Sequence, residues 1–436
     1  MAFQMLAAAW ATADTQVVLL AVVSFVVIGM ILASMILYTK AKLVGTGAVK
    51  LLINQDPSLT RTVNAGDTLL GVLSKQGISI PSPCGGKATC KQCKVQVLAG
   101  GGPLLETEMA TFSKKQQKEG WRLSCQCKVK NDIEIHVEEA HIGIKEYRGR
   151  VVSNHNVATF IKELIVEVPE VIEYRSGAYL QFHVPRFKTN TSDWKATMDP
   201  IYRDDWEKYR MFDRLFDFGD IPDNVIRAYS MASYPAEKTT LKFNIRIATS
   251  PFVAGFPSES IPWGICSSYT FSLKPGDTLR LSGPYGESYM KDDQRELVFL
   301  IGGAGSSFGR SHILHLFRTE KTKRRVSMWY GARSLKENIY QEEYEELAKL
   351  YPHFSYHLVL SEPLPEDIEK GWPKNDPVKT NFLFRAFEQG QLKKMAEPEE
   401  ALYYVCGPPM HNVSVLKLLD DYGVPRDSIV LDDFGS

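Results

Sequence analysis

The sequence predicts a multidomain chain: one N-terminal transmembrane helix, a small β domain built around cysteines, an antiparallel β-barrel, and an α/β domain with a parallel sheet. Three observations carry this. An uncharged run extends from Val17 to Tyr38, five of the seven cysteines fall between Cys84 and Cys127, and from about Asp292 apolar strand-like runs alternate with helical ones. A length of 436 residues fits about three domains. Lys+Arg and Asp+Glu both number 51, with no basic stripe, which argues against a nucleic-acid binder driven by phosphate neutralisation. Seven cysteines are too few for a secreted disulfide scaffold, and 44% hydrophobic residues argue against wholesale disorder.

The uncharged run would form a helix about 33 Å long, enough to cross a hydrocarbon layer of ~30 Å. A soluble core helix rarely stays apolar on every face for that length. A cleaved signal peptide would start basic and carry a shorter apolar stretch, whereas this start has Asp14 and no Lys or Arg. The reading is a tail at 1–15, a span at 16–38 and a linker at 39–48. Lys40 and Lys42 follow the span and place the rest of the chain in the cytoplasm. With no ionisable residue inside and no second run of this kind, the helix reads as an anchor or docking element, not an ion path.

Residues 49–140 hold the cysteines. Val49–Ile53 and Cys93–Leu98 read as strands, and Asp67–Lys75, after the turn Asn64–Gly66, as a helix. Cys84, Cys90 and Cys93 form C-x5-C-x2-C, and Cys125 follows in Trp-Arg-Leu-Ser-Cys-Gln. A [2Fe–2S] cluster needs four thiolates. Three can come from one loop, in which Gly85 and Gly86 permit tight turns, and the fourth from a distant strand. Disulfides are disfavoured in a reducing cytoplasm. Structural zinc remains the alternative, although it usually shows two C-x2-C knuckles and this chain has one. Cys127 would share a strand face with Cys125; the local context favours Cys125 as the ligand.

Residues 147–287 carry β-rich runs at Gly149–Ser153, Phe160–Val168, Tyr179–Val184, Leu241–Ala248 and Thr278–Ser282. An insertion at 186–225 lacks strand alternation and reads as a long irregular segment that offers a partner surface. After it comes Arg227-Ala228-Tyr229-Ser230. This R-x-Y-S arrangement resembles the ferredoxin–NADP reductase superfamily. An Arg fork can bond a flavin pyrophosphate, a Tyr can border the isoalloxazine, and a Ser can bond its edge. Gly264-Ile265-Cys266-Ser267-Ser268-Tyr269, Lys274-Pro275-Gly276-Asp277 and Gly283-Pro284-Tyr285-Gly286 follow in the superfamily's order. There the Gly-x-x-Ser stretch opens a helix whose amides bind phosphate. The resemblance implies FAD, with Gly264, Ser267 and Ser268 among its contacts.

Residues 292–436 show strands at Leu297–Ile301, Val326–Tyr330, Phe354–Leu360, Tyr403–Cys406 and Ile429–Leu431. The first runs into Gly302-Gly303-Ala304-Gly305 and a helix from about Ser307 to Phe317, the phosphate-cradling order of nucleotide folds. Gly303 and Gly305 fit G-x-G-x-x-G, but Phe308 takes the third place. Arg333 and Ser334 after the second strand, and Cys406 and Gly407 at the end of the fourth, sit where ligands bind such sheets. His312 and His315 lie one helical turn apart and receive no metal role, since no carboxylate partner is evident.

Over essentially its whole length the chain resembles the F subunits of the bacterial Na+-translocating NADH:quinone oxidoreductases. Lys188–Trp194 of the insertion and the end Leu431-Asp432-Asp433-Phe434-Gly435-Ser436 are part of that resemblance. It implies a β-grasp ferredoxin-type domain at 49–140, an FAD barrel at 147–287, and an NADH domain at 292–436. It also implies five partner subunits in a six-subunit complex of the bacterial cell inner membrane, with quinone reached only through them. Cys406 would sit beside the flavin–nicotinamide contact and Phe434 would cover the flavin ring. Many members read Gly-Ala-Gly-Met-Ala-Pro-Met-Arg-Ser where this chain has Gly303-Ala304-Gly305-Ser306-Ser307-Phe308-Gly309-Arg310-Ser311.

The expected reaction passes a hydride from NADH to FAD and single electrons to the cluster, because flavin alone handles both. Ser267, Cys406 and Tyr229 would line the reacting rings, and Arg333 with Ser334 would meet the adenosine end. An Arg there tolerates a 2′-phosphate, so the preference for NADH follows from the resemblance and not from these residues. The rival readings are a reductase component of an oxygenase and a tethered electron carrier or scaffold without NADH activity.

Overall fold

The computed structural model describes residues 2–43, 47–78, 80–137, 145–221 and 225–433; the side chains of 2–16, 19, 37 and 40–43 lie outside the description. The chain divides into two compact units, residues 1–76 with 95–138, and residues 77–94 with 139–436. The cysteine loop 77–94, expected within one domain with Cys125, thus groups with the second unit.

The first unit opens with helix α1 (Ala2–Leu43). Val17, Leu20, Phe25, Ile31 and Ile36 on it are exposed. Among the described residues no helix is long and apolar enough to cross a membrane. A mixed sheet follows, built from β1 (Ala48–Ile53), β2 (Asp56–Asn64), β3 (Lys94–Ala99), β4 (Trp121–Leu123) and β5 (Ile133–His136) in the order β2-β1-β5-β3-β4. β1 pairs parallel with β5, while β1–β2 and β3–β5 are antiparallel. Leu51, Ile53, Leu123, Ile133 and Ile135 of the sheet are buried, as are Leu69 and Leu73 of α2 (Leu69–Lys75). Thr68 starts α2 by accepting the Gly71 amide. The short helices α3 (Glu106–Met109) and α4 (Lys114–Lys118) cross one end. There Arg122 donates to Glu108 at 2.8 and 2.9 Å and to the Gly101 carbonyl, a buried pair whose remaining valences are also satisfied.

In the second unit six antiparallel strands come first: β6 (Lys145–Ala158), β7 (Ile161–Glu167), β8 (Tyr179–Val184), β11 (Val225–Ser230), β12 (Thr240–Arg246) and β15 (Thr278–Tyr285). Their order is β11-β8-β15-β6-β7-β12. Its two ends approach each other where the Ala232 amide donates to the Lys242 carbonyl at 2.7 Å. Leu164, Leu180, Phe182, Phe243, Leu279 and Leu281 fill the interior, each on the inward phase of its strand.

The insertion differs from the irregular segment expected. It contains a hairpin of β9 (Phe187–Asn190) with β10 (Leu215–Phe218), a 3-10 turn Thr191–Thr197, and helix α5 (Pro200–Lys208). Asp199 caps α5 by accepting the Ile201 amide, and Pro200 stands at its first position. Trp194, Met198, Trp206, Met211 and Phe212 pack with Trp263 and Phe271 of the barrel into a separate aromatic core. Periodicity missed this because the packing runs through turns. Nearby lie the two-residue strands β13 (Phe252–Val253) and β14 (Phe256–Pro257), and helix α6 (Ile265–Ser272).

The C-terminal sheet is parallel throughout. It contains β16 (Leu297–Gly302), β17 (Val326–Ala332), β18 (Phe354–Leu360), β19 (Leu402–Cys406) and β20 (Ile429–Leu431) in the order β18-β17-β16-β19-β20. Helices α7 (Ser306–Leu314), α8 (Gln341–Leu350), α9 (Pro365–Glu369), α10 (Leu383–Gly390) and α11 (Pro409–Asp421) supply the connections. β16 is apolar at every position except its last glycine, as a strand covered on both faces must be. The strand order reverses between β16 and β19, which opens a crevice at their carboxyl ends.

Candidate functional site

The loop Cys84–Cys93 curls tightly because Gly85, Gly86, Ala88 and Lys91 all take positive φ. Ser82 holds its start, its carbonyl accepting the Gly85 amide and its hydroxyl the Gly86 amide. The sulfurs of Cys84 and Cys90 lie 3.2 Å apart. The Cys90 thiol donates to Cys84, which holds Cys84 well below the usual thiol range; Cys90 is correspondingly raised. A sulfur stabilised as thiolate is the metal-binding form, and a neighbour this near suits ligation of one iron. Cys93 is buried in the same loop. Cys125 belongs to the first unit, where Gln126 Nε2 lies 3.7 Å from its sulfur. Cys127, the alternative ligand, is fully buried and faces the Gly101 carbonyl at 3.7 Å. Among the described residues no group of three or more His, Cys, Asp or Glu is gathered as a metal site.

Arg227 stands on β11 and donates to the Ile226 carbonyl at 2.7 Å. The cysteine loop meets it directly: a Cβ placed on Gly85 would collide with the Arg227 guanidinium and lie 2.8 Å from the Ile226 carbonyl oxygen. Strand alternation puts Tyr229 on the face of Arg227, with its ring 4.7 Å from that of Phe182. Burial pushes the Tyr229 phenol far above its usual range. Ser230 takes the other face, where its hydroxyl donates to Asp432 at 2.7 Å.

Gly264 precedes α6 and packs so closely that a Cβ would stand 2.8 Å from that of Ala248. The Ser267 hydroxyl donates to the Gly264 carbonyl and accepts the Ala248 amide, so it is committed to the start of the helix. The Ser268 hydroxyl is buried and has no hydrogen-bond partner. That orphan lies at the first turn of a helix packed on β11, and a buried polar atom without a partner suits a bound polar cofactor.

In the nucleotide domain Gly303 takes φ +54, and a Cβ on Gly305 would strike the Cys406 carbonyl. Phe308 belongs to the core, edge-on to His312 at 4.5 Å. Gly309 does what the missing third glycine would do, since a Cβ there would lie 3.2 Å from Ile301 and Met328 side chains. The departures Ser306 and Ser307 also find a purpose: the Asn244 side chain and backbone amides, on β12, donate to the two hydroxyls at 2.9 Å each. His312 Nε2 bonds the Ser288 carbonyl and His315 faces Glu320, with no metal pair between them.

Arg333 and Ser334 follow β17; Arg333 pairs with Glu337 at 3.3 Å, and Ser334 is buried. Gly407 separates β19 from α11 and packs on His411. The Cys406 sulfur, at the end of β19, lies 3.9 Å from the Asp432 carboxylate. Burial pushes Asp432 up to about 7 and raises the Cys406 thiol well above its usual range. Phe434 lies outside the described residues. Asp432, which links Ser230 of the barrel to Cys406 of the nucleotide domain, escaped the sequence reading. Its signal was a pair of carboxylates immediately after an apolar strand.

Three family models match: a 2Fe-2S iron-sulfur cluster binding domain over residues 53–130, an oxidoreductase FAD-binding domain over 217–289 and an oxidoreductase NAD-binding domain over 299–415. The chain is 61% identical to the F subunit of the Na(+)-translocating NADH-quinone reductase of Chlamydia pneumoniae, covering 94% of this chain and 96% of that one. Identity to the protein of the same name in Pseudomonas aeruginosa is 45%, over 96% and 98%. Among solved structures, an Amycolatopsis cytochrome P450 reductase superposes with TM-score 0.58 at 20% identity, covering 88% of this chain and 98% of that one. A ferredoxin reductase in carbazole 1,9a-dioxygenase gives 0.55 at 20%, over 89% and 98%. These two likenesses establish the fold.

Proposed function

The chain belongs to the family of Na+-translocating NADH-quinone reductase F subunits, and from that premise we propose how its residues carry the reaction. It is the NADH-oxidising FAD and [2Fe–2S] component of the sodium-pumping complex. Bound FAD supplies the conversion from a two-electron donor to single electrons, and the cluster takes them one at a time.

Cys84, Cys90, Cys93 and Cys125 hold the iron. Arg227 grips the flavin pyrophosphate, Tyr229 borders the ring, and Gly264 and Ser268 offer the α6 end to phosphate. We assign the ring edge to Ser230, backed by Asp432 and Cys406, while Ser267 shapes the turn into α6. With a carboxyl near 7, Asp432 can keep or release a proton at Oδ2 beside Ser230 close to neutral pH. Gly303, Gly305 and Gly407 let the dinucleotide backbone approach, Arg333 and Ser334 meet its adenosine end, and Phe434 covers the flavin until nicotinamide displaces it. The observation that carries the relay is the apposition of Gly85 to Arg227, which brings the cluster loop onto the flavin-binding strand within one compact unit.

The finer placement belongs to the same reading: a single-pass span at 16–38 in the bacterial inner membrane, cytoplasmic redox domains, five partner subunits and quinone reached through them. Support comes from the uncharged run Val17–Tyr38 and the exposed apolar side chains of α1. The test is an anaerobic NADH titration of the purified full-length chain together with affinity capture from detergent-solubilised membranes. Bleaching of both flavin and cluster bands with recovery of integral partners supports the reading. A soluble oxygenase as the captured partner favours the oxygenase-reductase alternative, and a chain inert to NADH favours the carrier.

A further inference from the structure

The segment after β17 is held by the insertion. Glu337 accepts the Thr159 backbone amide at 3.1 Å on one oxygen, and on the other the Thr159 hydroxyl and the Arg333 guanidinium, the latter at 3.3 Å. Thr159 is fully buried in the turn between β6 and β7. Three residues of α5 secure this arrangement. Asp205 lies 3.1 Å from the Thr159 hydroxyl and takes Lys336 Nζ at 2.5 Å, Trp206 donates to the Thr159 carbonyl at 2.6 Å, and the Tyr202 hydroxyl donates to the Lys336 carbonyl at 3.3 Å. Arg333 also lies over the Phe160 ring, 5.4 Å from its centroid.

Charge makes the arrangement selective. Arg246 on β12 also interacts with both Arg333 and Glu337. Three cations, Arg246, Arg333 and Lys336, are therefore met by two carboxylates, Glu337 and Asp205. Without Glu337 the guanidiniums of Arg246 and Arg333, close enough to act on each other, would lose the carboxylate they share, and paired guanidiniums are the composition of a phosphate clamp. With Glu337 in place, one arm of Arg333 is bonded to a carboxylate and an added phosphate would meet that carboxylate.

We propose that Glu337 sets the dinucleotide preference of this chain: a ribose 2′-hydroxyl is accepted beside it, a 2′-phosphate is rejected, and Asp205 of the insertion is the positioning residue that holds it. The inference rests on the reading that Arg333 and Ser334 meet the adenosine end. Carboxylate for a ribose hydroxyl and guanidinium for a 2′-phosphate is the general rule of dinucleotide sites; here both groups are present, and the first silences the second. Rejection by an unfavourable charge is also the economical route to specificity.

The test uses the purified full-length chain with an artificial electron acceptor, and calorimetry with NAD+ and NADP+. Glu337→Gln should raise the NADPH to NADH ratio of kcat/KM by about tenfold or more. NADP+ binding should tighten in parallel, and Glu337→Asp, which keeps the negative charge, should still disfavour NADPH. Adding Arg333→Ala to Glu337→Gln should abolish the gain. Asp205→Asn should shift the NADPH to NADH ratio in the same direction, less strongly, and through KM instead of kcat. Independently of any variant, 2′-AMP should inhibit the wild-type chain far more weakly than 5′-AMP. An unchanged ratio in Glu337→Gln, while Arg333→Ala weakens both dinucleotides, would overturn the role of Glu337 and leave the adenosine-end reading intact. Equal inhibition by the two nucleotides would overturn it as well. If Arg333→Ala changes neither KM, the adenosine-end reading fails and takes the inference with it.

Discussion

The cysteine loop and the glycine loop both turn the chain tightly toward a ligand, and they do so by different physics. Between Cys84 and Cys93 four residues accept left-handed backbone angles, so the loop's shape is written largely in its own residues. Between Gly302 and Gly309 the shape depends on what the loop packs against: Cys406 beside Gly305, Ile301 and Met328 beside Gly309, and Asn244 of the barrel beside Ser306 and Ser307. A locally specified loop tolerates changes elsewhere but not within itself. A loop specified by its neighbours tolerates a rewritten sequence if the neighbours change with it.

The largest effects should come from breaking the first loop. Cys84→Ser or Cys90→Ser should abolish cluster assembly, with protein-bound iron falling toward background, while flavin reduction by NADH survives. Gly85→Ala forces a Cβ into Arg227 at φ +65, and should cost a few kcal/mol in denaturant midpoints and lower both iron and flavin occupancy. Its counterpart in the second loop, Gly305→Ala, should raise KM for NADH by about tenfold or more and leave iron content untouched, because its clash is with Cys406.

A smaller effect tests the joint between the two domains. Burial raises Asp432 from 3.8 to about 7, so the native chain keeps a proton there that the unfolded chain has already released between those values. Stability should therefore fall as pH rises through that window and stay level above it, by a few kcal/mol at most. Asp432→Asn should flatten that slope in thermal melts taken from pH 5 to pH 8. A slope identical to wild type would mean that Asp432 ionises freely in the folded chain. The smallest change is Asn244→Ala, which strips side-chain partners from Ser306 and Tyr340 while the backbone bond to Ser307 stays, and should cost about 1–3 kcal/mol with a modest rise in KM for NADH.

What could be read from the sequence follows the same division. The 2Fe-2S domain was legible in the cysteine spacing, and the parallel sheet in unbroken apolar strands such as Leu297–Ile301. The bonds that the Ser267 hydroxyl makes to Gly264 and Ala248 at the start of α6 are a commitment no spacing encodes. Asp432 reaches Ser230 across 202 positions, and Glu337 reaches Thr159 across 178. Contacts of that separation leave no periodic trace. The insertion hid for a related reason: Trp194, Trp206 and Trp263 meet through turns, so neither the helical nor the strand period marks its core.

The relay is tested most directly by rapid mixing of the anaerobic full-length chain with NADH, following flavin and cluster absorbance together. The account predicts that the flavin band bleaches first, that the cluster band follows, and that Cys90→Ser keeps the first phase and loses the second. Reduction of the cluster in protein stripped of flavin, or ahead of the flavin phase, would contradict it.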